Sequence, residues 1–115
     1  MNTRAVGAAY EDLACRQLEK AGMEILARNY RVRAGEIDII ARDKEELVFA
    51  EVKYRKNRLY GGAEYAISEA KKQKIRKVAQ WFMAQNHLLP DETFCRFDAV
   101  LIDENDRVTH IPNAW

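Results

Sequence analysis

The chain has 115 residues, 48% of them hydrophobic and 32% charged, which supplies enough apolar material for a packed core and argues against a disordered chain. Two prolines and five glycines exclude a collagen-like or low-complexity composition, and no apolar run approaches the ~20 residues of a membrane-spanning helix. With Met1-Asn2-Thr3-Arg4 leading into small and charged residues rather than a secretory apolar region, the expectation is a soluble cytoplasmic protein with one domain over residues 1–115.

The net charge of +1 conceals an asymmetry. Nine of the 19 Lys and Arg fall between Lys53 and Lys77, beside only two of the 18 acids, which leaves ten bases and sixteen acids elsewhere. A polyanion is the partner such a cationic segment suggests. Cys15 and Cys95 stand far apart, as do His87 and His110, so no zinc-type cluster at ordinary spacing is available. The cysteines read as small buried hydrophobes in a reducing compartment.

In chain order, Thr3–Ala21 is predicted helical, with Val6, Ala9, Tyr10, Leu13, Ala14, Gln17 and Ala21 as its apolar stripe, Asn2 or Thr3 as its cap and Gly22 just past its end. Strands are predicted over Met23–Tyr30, Gly35–Ala41 and Leu47–Tyr54, the last two joined by a turn at Asp43-Lys44-Glu45-Glu46. Asn57, Gly61 and Gly62 break the chain into a loop. A helix over Ala63–Asn86 follows, with a stripe of Ile67, Ala70, Ile75, Val78, Ala79, Phe82 and Met83, ended by Leu88-Leu89-Pro90-Asp91. Phe94–Asp103 and Arg107–Ile111 are predicted strands around a turn at Glu104-Asn105-Asp106. The order α-β-β-β-α-β-β implies an α/β sandwich whose crossover helix makes the strand at Phe94–Asp103 parallel to that at Leu47–Tyr54.

A turn centred between Lys44 and Glu45 places Asp38 opposite Glu51, with Glu36 and Lys53 expected on the same face. Two carboxylates opposed on a central, apolar hairpin need compensation. Lys53 alone, as a buried ion pair, is one source. A divalent cation with Lys53 beside it is the other: carboxylate oxygens suit Mg²⁺ or Mn²⁺, such an ion activates water and neutralises a phosphate, and a neighbouring lysine stabilises developing charge. That is the outline of a phosphodiester hydrolysis site, and it would explain why the basic segment begins at Lys53 and continues through Arg55, Lys56 and Arg58.

Gly35-Glu36-Ile37-Asp38-Ile39-Ile40-Ala41 followed by Phe49-Ala50-Glu51-Val52-Lys53-Tyr54-Arg55 resembles the YraN-type family of small bacterial proteins. That family is similar to archaeal Holliday-junction resolvases of the PD-(D/E)XK nuclease superfamily. Asn29-Tyr30-Arg31 and Arg96-Phe97-Asp98 look like its flanking motifs, and the resemblance spans nearly the whole chain. It implies a restriction-endonuclease-like sandwich with a mixed central sheet flanked by helices. It also implies Asp38 and Glu51 as metal ligands, Lys53 as catalytic lysine, and Glu11, on the first helix, as a further acid at the same centre. Ile37 stands where the superfamily's name has proline.

Further candidates surround this core. Small neighbours of Glu11, namely Gly7, Ala14 and Cys15, suggest close approach of another backbone. Glu36 is a further candidate for the site. Lys71 and Lys74 lie beside the helix stripe, where they either snorkel outward or point to the acidic centre or a phosphate. Lys72, Arg76 and Lys77 form an outer face for phosphates. Tyr54, Tyr60 and Tyr65 either stack on unpaired bases or pack. Trp81, Phe82 and Trp115 read as core or interface, and Asp98 as a structural partner of Arg96 or of a helix lysine. The expectation is a Mg²⁺- or Mn²⁺-dependent nuclease acting on DNA rather than RNA, branched or single-stranded, with no membrane role. Paired cuts across a junction suggest a homodimer by analogy. A binding module that keeps the fold without turnover, and a structural domain with an ordinary salt bridge at Lys53, are the alternatives.

Overall fold

A computed structural model describes residues 3–55 and 67–115, with side chains from residue 7 onward. Helix α1 covers Thr3–Lys20, so Thr3 is itself helical. It stops where Gly22, at φ +96°, lets the Met23 N–H reach the Leu18 carbonyl (3.0 Å) and the Gly22 N–H reach the Glu19 carbonyl (2.9 Å). Three strands follow, β1 (Glu24–Val32), β2 (Gly35–Asp43) and β3 (Glu46–Arg55). Helix α2 spans Glu69–Gln85, β4 spans Cys95–Asp103 and β5 spans Val108–Ile111.

Helix α2 starts later than its apolar pattern suggested. Ser68 is extended (φ −61°, ψ 151°) and its side chain caps the Lys71 N–H at 3.1 Å, while the predicted start at Ala63 lies outside the described residues. The helix ends at Gln85 because His87 takes φ +58° and the Leu88 N–H turns back to the Met83 carbonyl at 2.8 Å. Pro90–Glu92 forms a separate 3-10 turn.

The five strands form one mixed sheet in the order β1-β2-β3-β4-β5. Only β3 and β4 run parallel, as the intervening helix required. The hairpin register is the expected one: Ile39 faces Ala50, Ile40 faces Phe49 and Asp43 faces Glu46. Helix α1 covers one face with Ala14, Cys15 and Leu18 over Ile39, Ala41, Val48, Ala50, Val100 and Ile102. Helix α2 covers the other with Ile75, Val78, Ala79, Phe82 and Met83 over Ile37, Ile40, Leu47 and Phe49. The α1 stripe is rotated from its predicted position. Leu18 is fully buried, whereas Ala9 and Ala21 are exposed. Trp81, expected to pack or dock, is exposed, while Phe82 is core and Trp115 stacks on Phe97 with ring centroids 5.6 Å apart.

Asp98 closes the far side of the sheet. It is fully buried and receives Arg96 Nε (3.0 Å), His110 Nε2 (2.7 Å) and the Asn113 N–H (3.1 Å). His110, isolated in sequence, is thus partnered across the β4–β5 pair. Arg96 also reaches Asp43 and Glu46 at the hairpin turn (3.1 and 2.8 Å), joining β4 to the start of β3. Burial opposes ionisation of Asp98, but His110, Arg96 and the Asn113 amide outweigh it and hold the carboxyl below its ordinary value. Its stabilisation is therefore complete at neutral pH and disappears as pH falls through that lowered value. Asp98→Ala should cost about 3 kcal/mol, measured by urea unfolding at pH 7. Asp98→Asn should flatten the acid-unfolding curve of the protein below pH ~4.

Candidate active site

Alternation along β3 puts Leu47 and Phe49 under α2 and Val48 and Ala50 under α1, so Glu51 and Lys53 fall on the α2 face. Strand β2 keeps that rhythm except at one point. Ile37 packs under α2 whereas Ile39, two residues on, packs under α1, and the β2–β3 ladder ends at Ile39–Ala50. Asp38 stands at this break. Its Oδ2 accepts the Val52 N–H at 2.8 Å, so a carboxylate takes the place of a ladder carbonyl. From there it lines one cavity together with Glu51.

Gly35 opens β2 at φ +151°, where an added Cβ would meet Val78 Cγ2 at 3.4 Å. That distance is ordinary van der Waals contact, so what favours glycine here is the positive φ, which side chains rarely adopt.

Glu51 is 5% exposed. Two ammonium groups share its Oε1: Lys71 Nζ from the first turn of α2 at 2.5 Å and Lys53 Nζ at 3.8 Å. Burial, followed by the Glu51 carboxylate, raises the Asp38 pKa to about 7, against the pull of the Val52 amide. Burial and then the Lys71 charge lower the pKa of Lys53. Burial alone would lower that of Lys71, but its bond to Glu51 reverses the effect and raises it.

Asp38 borders two cavities. The one beside α1, about 650 Å³, is walled by Glu11, Asn29, Arg31, Glu36, Val52 and the stacked pair Tyr10–Tyr54, whose centroids are 4.8 Å apart. The one beside α2, about 290 Å³, shares Glu36 with the first and adds Glu51, Lys71 and Lys74. Glu11 therefore approaches Asp38 from the α1 side, while Glu51, Lys53 and Lys71 gather on the α2 side. The shared face expected for Asp38, Glu36, Glu51 and Lys53 is replaced by a junction between two faces. Glu36 is engaged by Arg31 at 2.8 Å. Among the described residues, no three Asp, Glu, His or Cys side chains converge as they stand on a point that would hold an ion. The donors bordering the break are nonetheless carboxylate oxygens, the chemistry a hard divalent cation takes.

The remaining candidates divide. Lys74 is exposed at the α2-side cavity. Lys72 pairs with Glu69 at 3.3 Å, and the Arg76 guanidinium sits 5.9 Å from the centre of the Phe97 ring. Arg55 donates to the Tyr54 carbonyl at 3.2 Å. Lys56, Arg58, Tyr60 and Tyr65 lie outside the described residues. Among the described residues nothing comes within 4 Å of a Cβ placed on Gly7, so no close backbone approach explains that glycine. Asn29 and Arg31 stood in a quoted motif without a role. The local signal for Asn29 is its tolerance of positive φ, which it adopts at +52°.

The model for "Uncharacterised protein family UPF0102" matches residues 10–102, a span that holds both motifs of the hairpin. The UPF0102 protein of Pectobacterium carotovorum subsp. carotovorum (strain PC1) is 43% identical over 115 residues, covering 100% of this chain and 97% of the relative. UPF0102 proteins of Yersinia pseudotuberculosis serotype O:1b (strain IP 31758) and Yersinia pestis bv. Antiqua (strain Angola) are 44% identical with the same coverage.

Because the folded-state pKa of Asp38 lies above that of the unfolded chain, its ionisation weakens the fold, fully so at pH above about 7. Asp38→Asn should therefore melt at higher temperature than the wild type at pH 8 in chelator. The gap should shrink steadily as pH falls from 7 toward ~4, read by differential scanning calorimetry.

Proposed function

We propose that this chain, which belongs to the uncharacterised UPF0102 family, is a metal-dependent nuclease that hydrolyses phosphodiester bonds in branched or single-stranded DNA. The observation that carries the proposal is that Asp38 and Glu51 border one cavity where β2 leaves β3, with two ammonium groups paired to Glu51 among the described residues. The helix–strand order and the parallel β3–β4 pair support reading the mixed α/β fold as a restriction-endonuclease-like sandwich.

Asp38 and Glu51 would hold Mg²⁺ or Mn²⁺, with Glu11 facing Asp38 from the α1 side. A bound divalent cation would supply an activated water and charge neutralisation at the scissile phosphate. Lys53 is held by its strand next to Glu51, with its side chain 21% exposed. It would place its ammonium group where negative charge develops on the phosphate oxygens. Lys74, Lys71 and Arg55 border this side and would position the backbone of the nucleic acid. Lys72 and Arg76, already engaged by Glu69 and Phe97, would add less. The proposed setting is cytoplasmic; among the described residues no helix is long and apolar enough to cross a membrane. Two copies would be needed for paired cuts across a junction.

Highly purified protein incubated with labelled junction, flap, single-stranded and duplex DNA should cut in Mg²⁺ or Mn²⁺ and not in EDTA. Lys53→Ala should slow cutting by about 10²–10³-fold while DNA retention persists. Lys74→Ala should lower the slope of log affinity against log salt by about 1. Salt-sensitive retention with no cutting in any metal would identify a non-catalytic binding module on the same fold.

A further inference from the structure

We infer that the Lys71 ammonium is an exchangeable counter-ion of Glu51, one that holds the site together without a divalent cation and competes with such a cation for the same carboxylate. The inference rests on the reading of Asp38 and Glu51 as an ion-holding pair. Glu51 is 5% exposed, and a carboxylate so buried is costly without a positive partner. Among the described residues two partners are present, and both address Oε1: Lys71 at 2.5 Å and Lys53 at 3.8 Å.

They are not equivalent. Lys53 lies two residues along the same central strand, and its side chain is 21% exposed. Lys71 arrives from another element, its side chain is 43% exposed, and it makes the shorter contact. Its backbone is fixed, because its N–H is capped by Ser68 at 3.1 Å. Its side chain is a flexible stem whose ammonium stays solvated after turning outward. Lys71 therefore leaves Glu51 with no rearrangement of helix or sheet.

A divalent cation bound to Glu51 would bring like charge to within ion-pair distance of the Lys71 nitrogen. Occupation of that carboxylate by one cation disfavours the other, and the coupling is reciprocal. The charge of Lys71 thus has opposite effects on the two forms of the site. It stabilises the cation-free form and weakens cation binding. A fixed structural ion pair would stabilise both forms alike.

The test titrates Mn²⁺ alone, by calorimetry and by thermal unfolding, into the wild type, Lys71→Met, Glu51→Gln and the double variant. Lys71→Gln, which keeps a polar end group, guards against poor folding of the methionine variant. Lys71→Met should melt below the wild type in chelator and bind Mn²⁺ roughly 5- to 30-fold more tightly, within the usual span of coupling between two ligands. The melting gap should close at saturating Mn²⁺, and the gain in affinity should vanish in the Glu51→Gln background. Equal or weaker Mn²⁺ binding by both Lys71 variants would overturn the inference and leave the ion-holding pair standing. Absence of Mn²⁺ binding by the wild type and both Lys71 variants would overturn the two together.

Discussion

The hydrogen bond from the Val52 amide to the Asp38 carboxylate organises this molecule's chemistry. A regular β2–β3 ladder would bury every amide against a carbonyl and leave no room for a side chain between the strands. Here the ladder stops after Ile39–Ala50, and Asp38 satisfies the next amide on β3 with its own oxygen. The bond costs the sheet one backbone pairing. In return it fixes a carboxyl group that borders Glu51 at the α2-side cavity and Glu11 at the α1-side cavity.

Two buried aspartates show how differently one side chain is treated within one sheet. Asp98 is surrounded by a guanidinium, an imidazole and a backbone amide, and its pKa falls. Asp38 has one amide to set against burial and a neighbouring carboxylate, and its pKa climbs to about 7. The first arrangement ties β4 to β5 and to the chain that follows. The second leaves negative charge undercompensated in a cavity, which is common at functional sites and expensive for a purely structural one. Among the described residues, the Lys53 and Lys71 ammonium groups pair with Glu51.

Much of this was legible in the residue order, for reasons that differ by element. The hairpin register followed from a two-residue turn flanked by strongly β-forming segments, so a local signal determined which residues face each other. The parallel β3–β4 pair followed from a helix intervening between strands. What pattern alone missed was set by contacts distant in sequence. His110 looked solitary because Asp98 reaches it across a strand pair. Glu36 and Asp38 were assigned the face of Glu51 because strict alternation was assumed, whereas β2 breaks that alternation between Ile37 and Ile39. The first turn of α2 was overextended because apolar spacing continues to Ile67 while Ser68 caps the helix behind it. Of the two readings of Trp81, core or interface, the core one fails, because the helix turns it to solvent while Phe82, the next residue, faces Phe49.

The outermost strands of the sheet carry their own consequence. Strand β1 offers one side to solvent, yet its register slips between Ile25 and Ala27, Asn29 interrupts it with a positive φ, and Arg28 and Glu24 are drawn into ion pairs with Asp12 and Arg42. Strand β5 is only four residues long. A kinked, charged margin on one side and a short one on the other make poor templates for an incoming strand. Among the described residues, both margins of the sheet therefore disfavour strand addition, the route by which sheets grow into aggregates.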